Sequence, residues 1–224
     1  MDDVIENGRI WRVTYEGMSR DKNKPKMFEE SAAELVKHLE HPNGWWRDKA
    51  QQLLILRQDH SVEANLVKMA KSSSNELARI HALWTLEGLG LLKKDLVLSF
   101  LGDKSVNIRI QGLRASETLY KYGEKSLEKS YKEMTLDAEP SVVIQALQSA
   151  YVLKVSGIEE TLKAIQRSNQ AKGVQVVTKQ LLENIAEEKK LAETQYTPAE
   201  LVLFNQGKTI FDSYCATCHG VKGL

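Results

Sequence analysis

The sequence of 224 residues contains only two cysteines and four prolines and carries no excess charge. Both cysteines lie in one short segment, so no disulfide framework holds the rest of the chain. Lysine and arginine total 31 against 30 aspartate and glutamate, and the basic residues form no dense run. The sequence therefore predicts no nucleic-acid-binding surface. No apolar run approaches the length of a membrane-spanning helix. The first residues lack the basic and apolar regions of a secretory signal. If the chain is a fragment, this absence says nothing about where the whole protein is located.

The overall composition is that of a soluble globular chain, and its length is sufficient for one or two domains. Hydrophobic residues make up 42% and charged residues 27%. We find no Ser-His-Asp pattern, no phosphate-binding glycine loop and no paired-carboxylate signature. The sequence therefore predicts no catalytic residue for substrate turnover, and whether the protein is an enzyme stays uncertain.

The most specific motif is the run Cys215-Ala216-Thr217-Cys218-His219. Two thiols with this spacing, followed at once by a histidine, are typical of c-type haem attachment. Each thiol can form a thioether to a haem vinyl group, and the imidazole of His219 can bind the iron. A cytosolic redox pair would leave His219 unexplained, and zinc would need two further ligands at suitable spacing. We therefore predict covalent haem c, with Cys215, Cys218 and His219 as cofactor-binding residues and His219 as metal ligand.

A repeat fills residues 28–190, where apolar residues recur with a helical period. Its clearest trace is a cationic residue followed three positions later by a small one, at Arg47 and Ala50, Arg79 and Ala82, and Arg109 and Gly112. The next unit keeps Ala146 but has Val143, and a degenerate fifth unit surrounds Val176 and Lys179. We predict first helices at 31–40, 61–71, 93–102, 125–136 and 158–168. We predict second helices at 44–56, 76–89, 106–120, 141–154 and 173–187.

The repeat units resemble HEAT repeats, in which each helix pair buries its apolar face only by stacking on its neighbours. Gly90, Gly123 and Gly157 are expected to close second helices, where a left-handed residue is often needed. The predicted fold is all-α, a HEAT-like α-solenoid of about five helix pairs. An irregular helical bundle is the alternative.

The two ends of the chain differ from the repeats. Residues 1–17 alternate as strands around Asn7-Gly8, the pair favoured by a type I′ hairpin turn, and residues 18–27 form a polar linker. This β-hairpin remnant either packs on the helices or is the edge of a larger sheet. After residue 190 a charged linker leads to a new helix, with Thr197 as N-cap and Pro198 at its first position.

Three further residues invite a functional interpretation. Trp45 and Trp46 follow a Pro-Asn-Gly turn and suit either a docking surface or, as we favour, one groove-filling and one core-capping tryptophan. His81 lies on a predicted helix without a cysteine or carboxylate cluster. We expect it to be a buried, hydrogen-bonded histidine rather than a ligand.

The C-terminal segment resembles a known protein class. Gly207, Phe211 and Cys215, spaced four apart, are similar to the first helix of class I cytochromes c. The stretches 7–13, 41–48 and 79–89 resemble those of planctomycete-type haem-containing dehydrogenase-like proteins. In that family a quinoprotein sugar dehydrogenase-like β-propeller precedes HEAT repeats and a cytochrome c domain.

The resemblance implies a C-terminal fragment with residues 1–17 as a propeller-strand remnant and 191–224 as the truncated start of the cytochrome domain. It implies electron transfer in a periplasmic or cell-envelope oxidoreductase, with a quinone cofactor possible in the missing propeller and an unknown electron acceptor. All five methionines precede the motif, so the family's sixth haem ligand is absent. The alternative function is a helical-repeat interaction module with an unoccupied haem-motif tail.

Overall fold

A computed structural model describes residues 15–17, 25–192 and 197–216. Within these ranges every regular element is helical, which confirms the predicted all-α class. Residues 15–17 form a short turn, and the rest of the predicted hairpin lies outside the described residues. No helix in the described ranges is both long and apolar enough to cross a membrane.

Each of the ten predicted repeat helices has a counterpart. The first helices are α1 Ala32–His38, α3 Glu63–Ser72, α5 Lys94–Leu101, α7 Glu128–Met134 and α9 Ile158–Ser168. The second helices are α2 Gly44–Arg57, α4 Glu76–Gly88, α6 Val106–Lys121, α8 Pro140–Val152 and α10 Lys172–Ala192. Short 3₁₀ turns at His60–Val62 and Lys125–Leu127 lead into α3 and α7, and α11 Pro198–Ile210 follows the repeats.

The helices pack as a row of successive pairs. Each first helix contacts the second helix of its own pair, and each second helix contacts the second helix of the next pair, from α2 through α4, α6 and α8 to α10. One buried apolar cluster runs through the first four pairs, and a smaller cluster joins α8, α9 and α10. Because every pair shares its apolar surface with its neighbours, the pairs stabilise one another.

The second helices end in the same way. A left-handed residue follows α2, α4, α6 and α8, at Gln58, Gly90, Gly123 and Lys154. After the last three, the next backbone N–H donates to a carbonyl five residues back, from Leu91 to Leu86, Glu124 to Leu119 and Val155 to Ala150. This is the bonding of a Schellman cap. The assignment of Gly157 was wrong: Lys154 holds the left-handed position after α8, and Gly157 is the N-cap of α9.

The small residues of the repeat lie where helices approach closely. Ala50, Ala82 and Ala146 are completely buried. A Cβ added to Gly112 would lie 2.8 Å from Cβ of Phe100 on the partner helix α5. In the fifth pair the equivalent residue is the buried Thr178. The prediction centred on Val176 and Lys179 was therefore displaced by one residue.

Two boundaries also differ from the prediction. Met27 was assigned to the linker, yet it is buried in the core and its carbonyl accepts a hydrogen bond from Arg57. Helix α10 continues to Ala192 rather than ending at 187. Its added turn contains Glu188, which accepts from the Tyr151 hydroxyl, and Lys189, which pairs with Glu159. These contacts and strong helix formers extend the helix.

Candidate functional site

Helix α11 brings the chain to the first cysteine of the haem motif. The helix begins with a capping box: Thr197 Oγ1 accepts from the Glu200 N–H at 3.3 Å, and a Glu200 carboxylate oxygen accepts from the Thr197 N–H at 2.8 Å. Hydrogen bonds from the Thr197 side chain and backbone hold the pKa of Glu200 below its ordinary value. The predicted N-cap at Thr197 and the Pro198 start are confirmed.

The apolar side chains of α11 are exposed. Among its described residues none is buried, and large apolar groups are open to solvent at Leu201, Val202, Leu203 and Ile210. Apart from the backbone of its own helix, a Cβ built on Gly207 would meet no atom of the described residues within 4 Å. The face that includes Gly207 therefore leaves space for a further group to approach the helix backbone.

A π-helical turn, Phe211–Cys215, joins α11 to the motif. The Ala216 N–H donates to the carbonyl of Phe211, five residues back, so one extra residue is inserted in this turn. Cys215 is partly exposed, and its thiol is not in a disulfide.

The remaining motif residues cannot be placed beside Cys215. Thr217, Cys218 and His219 lie outside the described residues. Across the described ranges no group of three or more histidine, cysteine or acidic side chains is arranged to hold a metal ion. The donor chemistry of the motif still fits haem c, since an accessible, unpaired thiol is what a thioether bond requires.

A second set of charged residues connects neighbouring helix pairs. Arg79 donates to a carboxylate oxygen of Asp103 at 2.6 Å, and Arg109 donates twice to Asp137, at 2.8 and 2.9 Å. Each aspartate lies in the loop between the helices of the following pair. All four side chains are at most 16% exposed. Arg79 and Arg109 therefore bridge neighbouring pairs.

The loop aspartates also organise their own turns. Asp103 accepts from the Ser105 N–H at 2.8 Å, and Asp137 accepts from the Glu139 N–H at 2.9 Å. Burial raises the pKa of Asp103, but hydrogen bonds from Arg79 and from the Ser105 N–H outweigh burial and keep that pKa below its ordinary value. These aspartates were missed in the sequence. In the sequence, each aspartate stands six positions before the arginine position of a second helix: Asp103 before Arg109, and Asp137 before Val143, which replaces the arginine.

The first repeat lacks this bridge. Arg47 donates to the carbonyls of His41 and Pro42 at 2.6 and 2.9 Å, but its Nε is buried without a hydrogen-bond partner among the described residues. The loop residue that follows in the next pair is Ser73, not an aspartate. The missing carboxylate explains the unpartnered nitrogen.

His81 is hydrogen-bonded, as predicted, but it is partly rather than fully buried. Its Nδ1 lies 2.7 Å from the side-chain oxygen of Gln51, and its side chain is 16% exposed. Burial and the charge of Arg47 lower its pKa, and Asp48 opposes them in part. Trp84, one turn further, donates to Gln111 at 2.8 Å. Both side chains connect neighbouring second helices.

The two adjacent tryptophans have different environments. Trp46 is 9% exposed, and its ring stacks on His41 with centroids 4.9 Å apart. Trp45 meets Trp46 edge to face and is 48% exposed. The core-capping interpretation holds for Trp46, whereas Trp45 lies largely on the surface.

No protein-family model matches this chain, and no curated protein matches it. The resemblance to haem-containing dehydrogenase-like proteins therefore depends on the motifs alone.

Proposed function

We propose that this chain carries a covalently attached c-type haem at its C-terminal segment and transfers electrons through it, with the helix pairs as scaffold. Cys215 and Cys218 would form the two thioethers, and His219 would bind the iron. The observation that carries the proposal is the Cys-x-x-Cys-His spacing directly after α11.

The described residues before the motif support this role. Cys215 offers an accessible thiol at the end of a helix, and α11 exposes an apolar surface beside it. Gly207 precedes Phe211 by four residues and Cys215 by eight, and no described side chain crowds the Gly207 backbone. When bound, haem supplies a one-electron iron couple whose potential depends on axial ligation and burial. The chain's own contribution is to anchor the group at two sulfurs and to orient the His219 imidazole.

The finer description of the scaffold is a HEAT-like α-solenoid of five helix pairs. It is supported by equivalent loop residues at His41, Ser73, Asp103, Asp137 and Asn169, each accepting a hydrogen bond from the N–H two residues later. Six residues after each of them stands the arginine position or its substitute, the last being Gln175. A repeating unit of this kind favours a solenoid over an irregular bundle.

The proposed setting is a larger periplasmic or cell-envelope dehydrogenase. Residues 1–17 would belong to the closing strands of a β-propeller, in which a quinone cofactor would accept electrons from a small substrate. Residues 191–224 would form the start of the cytochrome domain, beginning at the end of α10, whose last residue is Ala192. The donor is then the propeller domain, and the acceptor is an electron carrier of unknown identity.

The second candidate is a helical-repeat interaction module whose motif never receives haem. The observation that favours it is surface exposure of large apolar residues outside the motif, including Trp45 at 48%. Aromatic side chains are common at the centres of protein interfaces.

The two candidates are separated by export of the chain to the periplasm of a host that expresses haem-maturation proteins. A denaturing gel stained for haem peroxidase activity should show a stained band for the wild type. The Cys215→Ser/Cys218→Ser variant should lose the stain at equal protein amount, and Trp45→Ala, a matched variant outside the motif, should keep it. An unstained wild-type band with two reactive thiols would favour the interaction module.

A further inference from the structure

Arg109 shows how an arginine of the repeat uses the two edges of its guanidinium group. Its Nη1 donates to two carbonyls of the preceding turn, and its Nε and Nη2 donate to the two carboxylate oxygens of Asp137. Arg47 uses Nη1 in the same way, on the carbonyls of His41 and Pro42. Its Nε is buried without an acceptor, and its Nη2 makes no hydrogen bond to any described residue. The edge of Arg47 that corresponds to the Asp137-binding edge of Arg109 is therefore open.

The loop residue opposite this edge is too short to fill it. Ser73 holds the loop position at which the two following pairs have Asp103 and Asp137. A serine ends in one hydroxyl oxygen, whereas an aspartate extends one atom further and offers two acceptor oxygens. The Nη2 of Arg47 lies 3.4 Å from the point where a Cβ on Gly44 would stand, and solvent reaches it. A carboxylate can therefore approach the open edge from outside, at the start of α2.

Two carboxylates of the same region are engaged elsewhere. Glu40 accepts from the Ser73 hydroxyl at 2.7 Å, and Asp48 lies 3.9 Å from Nε2 of His81. Neither forms an ion pair with Arg47 in the part of the chain that the structure describes. A guanidinium edge matches the two oxygens of a carboxylate, and a buried cationic donor without an acceptor is costly. The open edge therefore favours a carboxylate supplied by another molecule.

Two exposed apolar side chains lie at the same end of the first two second helices. Trp45 and Leu77 stand two residues before the arginine positions of α2 and α4, and each is 48% exposed. Because α2 and α4 are in contact, their axes are about 8–10 Å apart. At the equivalent position the later pairs have polar or small residues, Asn107, Ser141 and Gly173. The first junction thus combines an open arginine edge with two exposed apolar residues.

We propose that this junction, formed by Arg47, Trp45 and Leu77, binds a protein partner through an acidic side chain with an apolar neighbour. The carboxylate of the partner would accept from Nε and Nη2 as Asp137 does on Arg109. Its apolar neighbour would cover Trp45, since tryptophan and arginine are enriched at the centres of interfaces. Charge selects an acidic segment over a neutral or basic one, because the open edge only donates. This binding does not depend on haem, so it succeeds or fails separately from electron transfer.

Two blocked tripeptides test the proposal on the full chain, acetyl-Leu-Asp-Phe-amide and its neutral match acetyl-Leu-Asn-Phe-amide. The Nε–H signal of Arg47 in a proton–nitrogen NMR spectrum reports occupancy of the edge. The aspartyl peptide should shift this signal and bind at least about tenfold more tightly than the asparaginyl peptide, which cannot form the charged fork. Trp45→Ala should weaken the aspartyl peptide several-fold. Leu136→Ala, at an exposed leucine of the fourth pair, should leave binding unchanged.

Substitutions at Ser73 give a matched pair that leaves Arg47 in place. Ser73→Asp supplies a carboxylate from within the chain and should abolish binding of the aspartyl peptide, whereas Ser73→Asn should retain it. Circular dichroism checks that both variants are folded. Equal affinities of the two peptides, or undiminished binding to Ser73→Asp, would overturn the proposal.

Two further outcomes would also overturn it. If sodium acetate shifts the Arg47 signal at the same concentration as the aspartyl peptide, the edge is a site for free anions rather than for a protein partner. If Glu40→Gln without peptide shifts that signal as far as the peptide does in the wild type, Glu40 already fills the edge in solution.

Discussion

At the scale of single residues, the side chains that stand out most in the sequence hold the pairs together. The sequence pattern shows the cationic residue only as a recurring position of the repeat and gives no partner for it. In the fold, Arg79 and Arg109 each bridge to an aspartate of the following pair. Arg109 meets Asp137 in two hydrogen bonds, whereas Arg79 donates one to Asp103 and one to the carbonyl of Ala70. Because a two-bond contact holds both groups in one orientation, the Arg109 bridge also fixes the register between its pairs.

Asp103→Asn should destabilise the chain at neutral pH by about 2 kcal/mol, because it leaves Arg79 without its charged partner in a largely buried contact. The folded-state pKa of Asp103 is lowered, so its stabilisation is present above the ordinary aspartate pKa and is lost as the pH falls through the folded value. Urea unfolding at pH 7 and pH 3 checks this: the difference from wild type should shrink at pH 3. Asp48→Asn, at a carboxylate whose side chain is 72% exposed, should be nearly silent. A constant difference at both pH values would contradict the bridge.

His81 should make the wild-type chain sensitive to mild acid. Its folded-state pKa lies below the ordinary value of about 6.5, so folding favours the neutral ring and stability is lost as the pH falls below that value. Between pH 7.5 and pH 5.5 the melting temperature of wild type should fall more than that of His81→Gln, which retains a partner for Gln51. His60→Gln serves as the exposed control. Identical pH profiles for wild type and His81→Gln would show that His81 does not titrate in this range.

Ser73→Asp should restore the bridge that the first pair lacks. The new carboxylate would replace the Ser73 hydroxyl that accepts the Asn75 N–H at 3.1 Å and would offer a partner to the buried Nε of Arg47. We expect a gain of about 1 kcal/mol in the free energy of unfolding. Ser73→Asn, the neutral match, should give no gain. If both variants destabilise equally, proximity to the exposed Glu40 carboxylate outweighs the bridge.

At the scale of helices, close approach is set by the small residue at the centre of each second helix. Gly112→Ala should cost about 1–3 kcal/mol, because its Cβ would lie 2.8 Å from the Cβ of Phe100, an atom fixed to the α5 backbone. Gly207→Ala on α11 is the matched control, and it should stabilise its helix by about 0.5–1 kcal/mol because its Cβ meets open space. Thermal melts followed by circular dichroism measure both. A neutral Gly112→Ala would mean that the helices can separate without cost.

Helix positions were predictable because the apolar period and the turn residues agree along the row. The ends of α2, α4 and α6 fell within a residue or two of their predicted places. The left-handed residue after α8 was not predictable, since Lys154 replaces the glycine found at Gly90 and Gly123. Met27 is buried in the apolar core, and its carbonyl accepts from Arg57, thirty residues away in sequence. A local sequence pattern cannot show contacts over such a separation.

At the scale of the whole molecule, a regular row of helix pairs is followed by α11, which leads to the partly exposed Cys215. The motif was fully readable in the sequence, whereas the arrangement of Cys218 and His219 beside Cys215 lies outside the described residues. The proposed electron-transfer role therefore depends on the chemistry of the motif.

The most direct test is the intact mass of the chain after periplasmic export with haem-maturation proteins. The account predicts a mass increase equal to one haem per chain, located by fragmentation in the peptide that contains Cys215 and Cys218. It also predicts a reduced-minus-oxidised absorption spectrum that His219→Ala alters without removing the added mass. An unmodified mass from cells that load a control cytochrome c would contradict the central claim.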